Sequence, residues 1–188
     1  MFSPKAALRH ELLAARQAAA APTGPGLLAT AREQAEVVAA GRIALYVSMG
    51  VEPQTGPLID WLLASGREVL LPVLYADNDL GWGIAPGAAD LVPGRLGLSE
   101  PPVDLGADAI TTAELVICPA LAVDLNGVRL GRGGGSYDRA LARVSPGTPV
   151  WAIVRDAEIV ESLPADPHDR PVHAALTPTR LVRLARGN

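Results

Sequence analysis

Apolar positions along the chain fall into two periods, one helical and one extended. From residue 4 to about residue 20 they recur at helical spacing, with Leu8, Leu12 and Ala15 on one stripe. Ser3-Pro4 ahead of that stripe reads as an N-cap followed by proline at the first helical position. Residues 18–26 read as a loop, and 28–40 as a second helix with Leu28, Ala31, Ala35 and Val38 facing inward. Residues 43–49, apolar and partly β-branched, predict the first central strand. A helix over 57–64 capped by Thr55 follows, then a strand over 68–74. Asp77-Asn78-Asp79 with Gly81 marks a turn into a short strand carrying Trp82. That indole is equally a packing aromatic or a platform for a flat ring.

Downstream, residues 115–118 read as a buried strand and Asn126-Gly127 as a hairpin turn. A glycine-rich stretch over 131–139 leads into Ala140, Leu141, Ala142 and Val144, which suit one helix face. Strands are expected over 148–154 and 172–176, and Thr177-Pro178 reads as the cap of a last short helix with Arg180, Arg183 and Arg186 toward its C-terminal end. Strands alternating with helices at these lengths require right-handed crossovers and a largely parallel sheet covered on both faces. The expected fold is a single three-layer α/β/α domain over residues 1–188, with a mostly parallel central sheet and a hairpin excursion before the glycine loop.

Composition narrows this picture. A chain of 188 residues, 49% of them hydrophobic, can bury a sizeable core. The net charge of −4 argues against general nucleic-acid or anionic-membrane binding and leaves room for a local basic pocket. Lys5, Arg9, His10, Glu11 and Arg16 interrupt the Ala-rich start, so no signal peptide is expected, and no run reaches the ~18 apolar residues of a membrane span. The lone Cys118 cannot close an internal disulfide. It reads as a buried, inert thiol in a reducing cytoplasm. His10 and His173 have no partners at zinc-ligand spacing.

The chemistry concentrates after the hairpin. Gly131, Gly133, Gly134 and Gly135 surround Arg132 in a loop without side chains to pack. A chain accepts that entropy where its backbone must turn sharply or approach something closely. The loop is neither a Walker A motif nor a Rossmann fingerprint, and on glycines alone a tight turn and an anion site stand level. Arg129, Arg132 and Arg139 are three guanidinium groups suited to phosphate. Asp138, in the first turn of the following helix, suits a magnesium ion bridging phosphate oxygens, or else simple complementarity with the helix dipole. On the first helix Lys5 and Arg9 lie one turn apart and Arg16 returns to the same azimuth, which is also how a solvated basic stripe looks.

The run Pro119-x-x-Ala122-x-Asp124-x-x-Gly127-x-Arg129-Leu130-Gly131-x-Gly133-x-Gly135-x-Tyr137-Asp138-Arg139 resembles the signature of the 5-formyltetrahydrofolate cyclo-ligase family. The chain is similar to that family also at Lys5-x-x-x-Arg9, Glu52-x-x-Thr55, Leu71-Pro72, Gly97-x-x-Glu100-Pro101 and Leu163-Pro164-x-x-Pro167-His168-Asp169. It departs at Ala120, Val123 and Ser136, where family members more often carry Gly, Phe and an aromatic. The loss at position 136 is expected to change how the loop packs on its ligand.

The resemblance implies a cytoplasmic, monomeric enzyme that uses ATP and Mg²⁺ to cyclise 5-formyltetrahydrofolate to 5,10-methenyltetrahydrofolate, with no nucleic-acid or membrane partner. It implies ATP contacts from Lys5, Arg9, Arg129, Leu130, Gly131, Arg132, Gly133, Gly134, Gly135, Ser136 and Tyr137. Folate contacts would come from Val47, Glu52, Arg132, Gly133, Gly134, Gly135 and Ser136, with Asp138 and Asp169 on the metal and His168 in a structural role. Glu52 suits a pterin because a carboxylate accepts paired hydrogen bonds from its amino group and ring N–H. Two other readings stay open on the residues alone. One is a binding protein that holds folate or nucleotide without turnover, the other an enzyme of the same architecture acting on a sugar phosphate or coenzyme A ester.

Overall fold

The computed structural model describes residues 4–19, 21–87, 90–167 and 169–185; Ser3, His168 and Arg186 lie outside them. The first helix, α1 (Pro4–Ala18), runs as the apolar stripe predicts. The single helix expected over 28–40 is two: α2 (Gly24–Ala31) and α3 (Ala35–Ala39). Gln34 between them is extended and its side-chain amide donates to the Thr30 carbonyl at 3.0 Å, in place of a continuing helical N–H. The restart changes the phase, so Val37 enters the core while Val38 is exposed.

Strand β1 (Arg42–Ala44) is shorter than the apolar run 43–49. Past Leu45, whose N–H still reaches the Leu70 carbonyl at 2.9 Å, the chain leaves the sheet. Thr55 closes the resulting loop. Its hydroxyl donates to the Tyr46 carbonyl at 2.7 Å and accepts the Ser48 N–H at 3.0 Å, and it makes no side-chain cap for α4 (Gly56–Ala64). The next strands, β2 (Glu68–Leu74) and β3 (Leu80–Ile84), pair antiparallel across the Asp77–Asp79 turn. Pro72 sits beyond the last β1 residue paired with β2, where its missing N–H leaves no ladder bond unmade.

A short ribbon, β4 (Val92–Pro93) with β5 (Ser99–Glu100), follows. Then come β6 (Leu115–Pro119), the hairpin β7 (Ala122–Asp124) and β8 (Arg129–Leu130), and α5 (Ser136–Leu141). Gly127 turns the hairpin at φ +85°, and a Cβ there would meet the Val172 carbonyl oxygen at 2.5 Å. The Asp124 carboxylate accepts the Asn126 and Val128 N–H groups, each at 2.9 Å, and that of Leu163 at 3.0 Å. The remaining strands are β9 (Val150–Ile153), β10 (Ile159–Val160), β11 (Ala174–Leu176) and β12 (Leu181–Arg183). The last helix expected after Thr177-Pro178 is therefore a turn into a strand. Thr177 N–H and the Arg180 carbonyl close it at 2.9 Å, and β12 pairs antiparallel with β11.

The main sheet has the order β12-β11-β9-β6-β1-β2-β3, in which β11, β9, β6, β1 and β2 are mutually parallel and the two edges are antiparallel. Ile43, Leu115, Ile117, Trp151 and Ile153 face one layer, formed by Leu27 of α2, Val37 of α3, and Leu58 and Leu62 of α4. Ala44, Val116, Cys118, Val150 and Ala152 face the other, built from Ala140 and Leu141 of α5 and Ile110 of a 3-10 segment. The expected three layers are present. Trp82 is fully buried in the second of these cores, its ring edge-on to Tyr137 at 6.4 Å, so it packs and offers no ligand platform. Cys118 is buried with its thiol pushed up to about 11 by burial, as an inert core thiol should be. No helix among the described residues is long and apolar enough to cross a membrane.

Helix α1 packs on the smaller sheet β10-β7-β8, with Leu8 and Leu12 against Ala122, Leu130 and Leu163. Arg16 then enters the interior. Its Nε and Nη2 grip the two Glu158 oxygens at 2.6 and 2.7 Å, and Nη2 also donates to the Ala120 carbonyl at 2.6 Å. With side chains 1% and 7% exposed, removing either partner strands a buried charge. Arg16→Met and Glu158→Gln should each lower unfolding stability by about 3–5 kcal/mol in urea titrations, whereas Arg16→Met with Glu158→Leu should recover most of it. Single variants within ~0.5 kcal/mol of the parent would mean that the pair holds nothing in place.

Candidate active site

In the strand order the chain steps from β1 one way to β2 and the other way to β6. Connections that diverge like this leave a crevice beyond the strand ends. A cavity of about 510 Å³ opens there. Tyr46, Val47, Met49 and Glu52 line it after β1, Pro119, Ala120 and Leu121 around the end of β6, and Pro72 and Leu74 from β2. All fifteen residues singled out above for ATP, folate or metal line this one cavity: Lys5, Arg9, Val47, Glu52, Asp138, Asp169 and the run 129–137.

One side is basic. The glycine loop leaves the sheet beneath α1, where Arg9 Nε donates to the Gly131 carbonyl at 2.8 Å. Gly133 passes under that guanidinium at φ +101°, and a Cβ there would stand 3.2 Å from Arg9 Cζ. Lys5 reaches across to Asp166 and Asp169, its Nζ 2.6 Å from a carboxylate oxygen of each. Burial opposes its charge, but the bonds to Asp166 and Asp169 outweigh that and raise its pKa above the ordinary lysine value. Arg129 is buried and donates to Asp138 at 2.7 Å. The basic stripe of α1 is thus turned inward, with Arg9 on the loop, Lys5 on Asp166 and Asp169, and Arg16 on Glu158.

Two expectations need correction. Arg139 borders the glycine loop, donating to the carbonyl of Gly134 at 3.3 Å and to that of Asn78 at 2.6 Å, but it does not line the cavity with Arg129 and Arg132. Helix α5 has six residues and starts from Gly135 at φ +71°, so little macrodipole stands behind the loop. An anion placed here would meet loop N–H groups and the flanking side chains rather than a helix dipole.

The other side is apolar around one carboxylate. Glu52 Oε2 accepts the Met49 N–H at 2.9 Å, and the Glu52 N–H returns to the Met49 carbonyl at 3.0 Å, which fixes the acid in its short loop. Val47 and Met49 form the wall beside it, and Leu96 and Leu98 from the β4–β5 ribbon the rim. Glu100 pins that ribbon by accepting the Leu74 N–H at 3.0 Å, which supplies the role of the Gly-x-x-Glu-Pro segment. Across the cavity Arg132 Nη2 stands 3.1 Å from Glu52 Oε1, joining the two sides.

For a metal, the donor set is modest. Among the described residues no cluster of three or more His, Cys, Asp or Glu side chains is placed to hold an ion. Asp138 and Asp169 both face the cavity, each already paired with a cation. Two carboxylates beside a basic loop fit a magnesium ion that arrives on phosphates, since Mg²⁺ commonly takes one or two protein oxygens and keeps the rest as phosphate and water. They do not form a preformed cage. Arg16, which also lines the cavity, has no place in the sequence-derived site. Its shared azimuth with Lys5 and Arg9 was the available signal.

The architecture is therefore that of a doubly wound α/β protein with a phosphate-type loop and a pinned carboxylate at its switch point. The model of the 5-formyltetrahydrofolate cyclo-ligase family matches residues 2–178. The chain is 45% identical over 147 residues to the 5-formyltetrahydrofolate cyclo-ligase of Mycolicibacterium smegmatis, covering 73% of this chain and 74% of that one. It is 36% identical over 150 residues to the enzyme of the same name from Escherichia coli K12, covering 77% and 82%. The solved structure of Aquifex aeolicus 5,10-methenyltetrahydrofolate synthetase superposes with a TM-score of 0.82 at 26% identity, covering 99% of this chain and 95% of that one. The chain belongs to the 5-formyltetrahydrofolate cyclo-ligase family and is an enzyme of that type.

Gly133→Ala tests the close passage of the loop under Arg9. A side chain at φ +101° strains the backbone by roughly 1–2 kcal/mol, and its Cβ must displace the guanidinium. Denaturation should show that loss, and inorganic triphosphate should bind more weakly by calorimetry. Parent-like stability and triphosphate affinity would show that the loop has slack.

Proposed function

We propose that the protein closes 5-formyltetrahydrofolate to 5,10-methenyltetrahydrofolate at the expense of ATP, releasing ADP and phosphate. The observation that carries this reading is the 3.1 Å contact of Arg132 with Glu52. One side chain of the glycine loop reaches the acid on the opposite wall, so a pterin held at Glu52 and a triphosphate held at the loop would meet inside one cavity.

The two sides divide the work. The Glu52 carboxylate accepts from the pterin's 2-amino group and N3–H, while Val47 and Met49 flank the ring. Lys5, Arg9, Arg132 and the loop N–H groups take the phosphates, which are drawn into line with the formyl oxygen. Phosphoryl transfer asks for positioning and charge neutralisation more than for a covalent nucleophile. Bound at Asp138 and Asp169, Mg²⁺ would neutralise charge on the phosphate oxygens. The formyl oxygen attacks the γ-phosphorus, the bond to ADP breaks, and an iminium phosphate results. N10 then attacks the activated carbon and loses its proton, and the C–O bond breaks to release phosphate. The step is favourable because an amide-like oxygen, a poor leaving group, departs as phosphate. A reducing cytoplasm suits the buried Cys118 thiol.

Purified protein given 5-formyltetrahydrofolate and Mg-ATP should produce the methenyl absorbance with matching ADP release. Omitting ATP, or adding EDTA without divalent ion, should abolish it; undiminished turnover in EDTA would remove the metal from the account.

Glu52→Gln keeps shape but replaces one acceptor with a donor. Loss of a hydrogen bond to a charged partner is worth roughly 1.5–3 kcal/mol, or about ten- to a hundred-fold in folate affinity. Calorimetry should show that loss with ATP affinity nearly unchanged. Unaltered folate affinity would take Glu52 out of the site.

A further inference from the structure

The 3.1 Å contact of Arg132 Nη2 with Glu52 Oε1 also occupies the acid. The other oxygen, Oε2, accepts the Met49 N–H at 2.9 Å and so fixes the carboxylate, while Oε1 meets the guanidinium that crosses from the glycine loop. A guanidinium is a planar fork of N–H donors on one carbon. The 2-amino group and N3–H of a pterin are the same kind of fork, two donors joined through one ring carbon. Arg132 therefore offers Glu52 the chemistry that a pterin edge would offer. With 10% of the Glu52 side chain exposed, the two forks compete for one open edge.

The other cations of the cavity are committed on the basic side. Lys5 holds Asp166 and Asp169, Arg9 the Gly131 carbonyl, and Arg129 the Asp138 carboxylate. Arg132 reaches across instead, on a side chain that is 51% exposed and stands between Gly131 and Gly133. It can leave Glu52 without unpacking the core. A triphosphate at the loop sets several negative charges against the single charge of Glu52, and guanidinium pairs with phosphate in the same forked way. The polyanion takes Arg132 from the carboxylate.

We infer that Arg132 is an autoinhibitory latch on Glu52, opened by the triphosphate of ATP, so that bound nucleotide favours entry of the folate. The inference rests on the folate reading of the cavity and goes beyond it by coupling the two ligands. A ligand that removes a competitor tightens the other ligand, and linkage makes the effect reciprocal. A half-exposed ion pair is modest, so the expected coupling is about two- to five-fold, equivalent to ~0.4–1 kcal/mol.

Calorimetry with 5-formyltetrahydrofolate and the magnesium-loaded β,γ-imido analogue of ATP, which cannot transfer its phosphoryl group, tests this. In the parent protein, saturating analogue should tighten folate binding about two- to five-fold, and saturating folate should tighten the analogue by the same factor. Arg132→Met should bind folate about two- to five-fold more tightly than the parent without nucleotide, and analogue raised to saturation should then add nothing. Weaker folate binding by a variant with parent-like melting temperature would overturn the inference, by making Arg132 a direct folate contact. A variant that keeps the parent's coupling would overturn it too. So would a parent whose folate affinity ignores the analogue, a result that needs no variant. A parent that binds no folate with or without the analogue would remove the folate reading, and the inference with it.

Discussion

Arg16 and Glu158 meet through two short hydrogen bonds in the interior, and the position of helix α1 depends on them. The same guanidinium holds the Ala120 carbonyl, immediately past the end of β6. The helix is thereby tied to the strand end at which the cavity opens. Everything basic that α1 brings to the cavity follows from that tie. Arg9 lies over the glycine loop, and Lys5 lies between Asp166 and Asp169. A buried pair is weak evidence of net stability, since apolar replacements often do as well. It is a strong determinant of position, because neither charge can move without leaving the other unpaired.

Much of the parallel sheet was legible in local pattern. Apolar runs of strand length separated by helical stretches allow few topologies, and Asn126-Gly127 named its own turn. The cavity residues were legible too, because the glycine run, Lys5, Arg9 and Glu52 stand in motifs long enough to be specific. What escaped were outcomes decided by distant partners. Thr177-Pro178 reads the same before a helix or a strand, and pairing of Leu181–Arg183 with β11 settled it. Thr55 looked like a helix cap, but the Tyr46 carbonyl competes for its hydroxyl. The inward turn of Arg16 required Glu158, 142 residues away. Arg139 followed Asn78 for the same reason. Local pattern can place such a side chain on a helix face, as for Arg16, but it does not name the distant partner.

The cavity gains its character from placing unlike surfaces face to face. Fixed cations and a glycine backbone suit a polyanion, while a carboxylate in an apolar wall suits a flat heterocycle with paired N–H donors. Neither half alone distinguishes a folate enzyme from the many proteins that bind phosphate. Under the proposed function their closeness, spanned by the Arg132 side chain, would bring an oxygen on one ligand to a phosphorus on the other. The central claim is therefore a transfer between two ligands across this gap.

Oxygen-18 placed in the formyl group of 5-formyltetrahydrofolate tests that claim most directly. After turnover with Mg-ATP, the released inorganic phosphate should carry the label in a one-to-one ratio with methenyl product, because the formyl oxygen leaves on phosphorus. Unlabelled phosphate, with the label lost to water, would contradict the account.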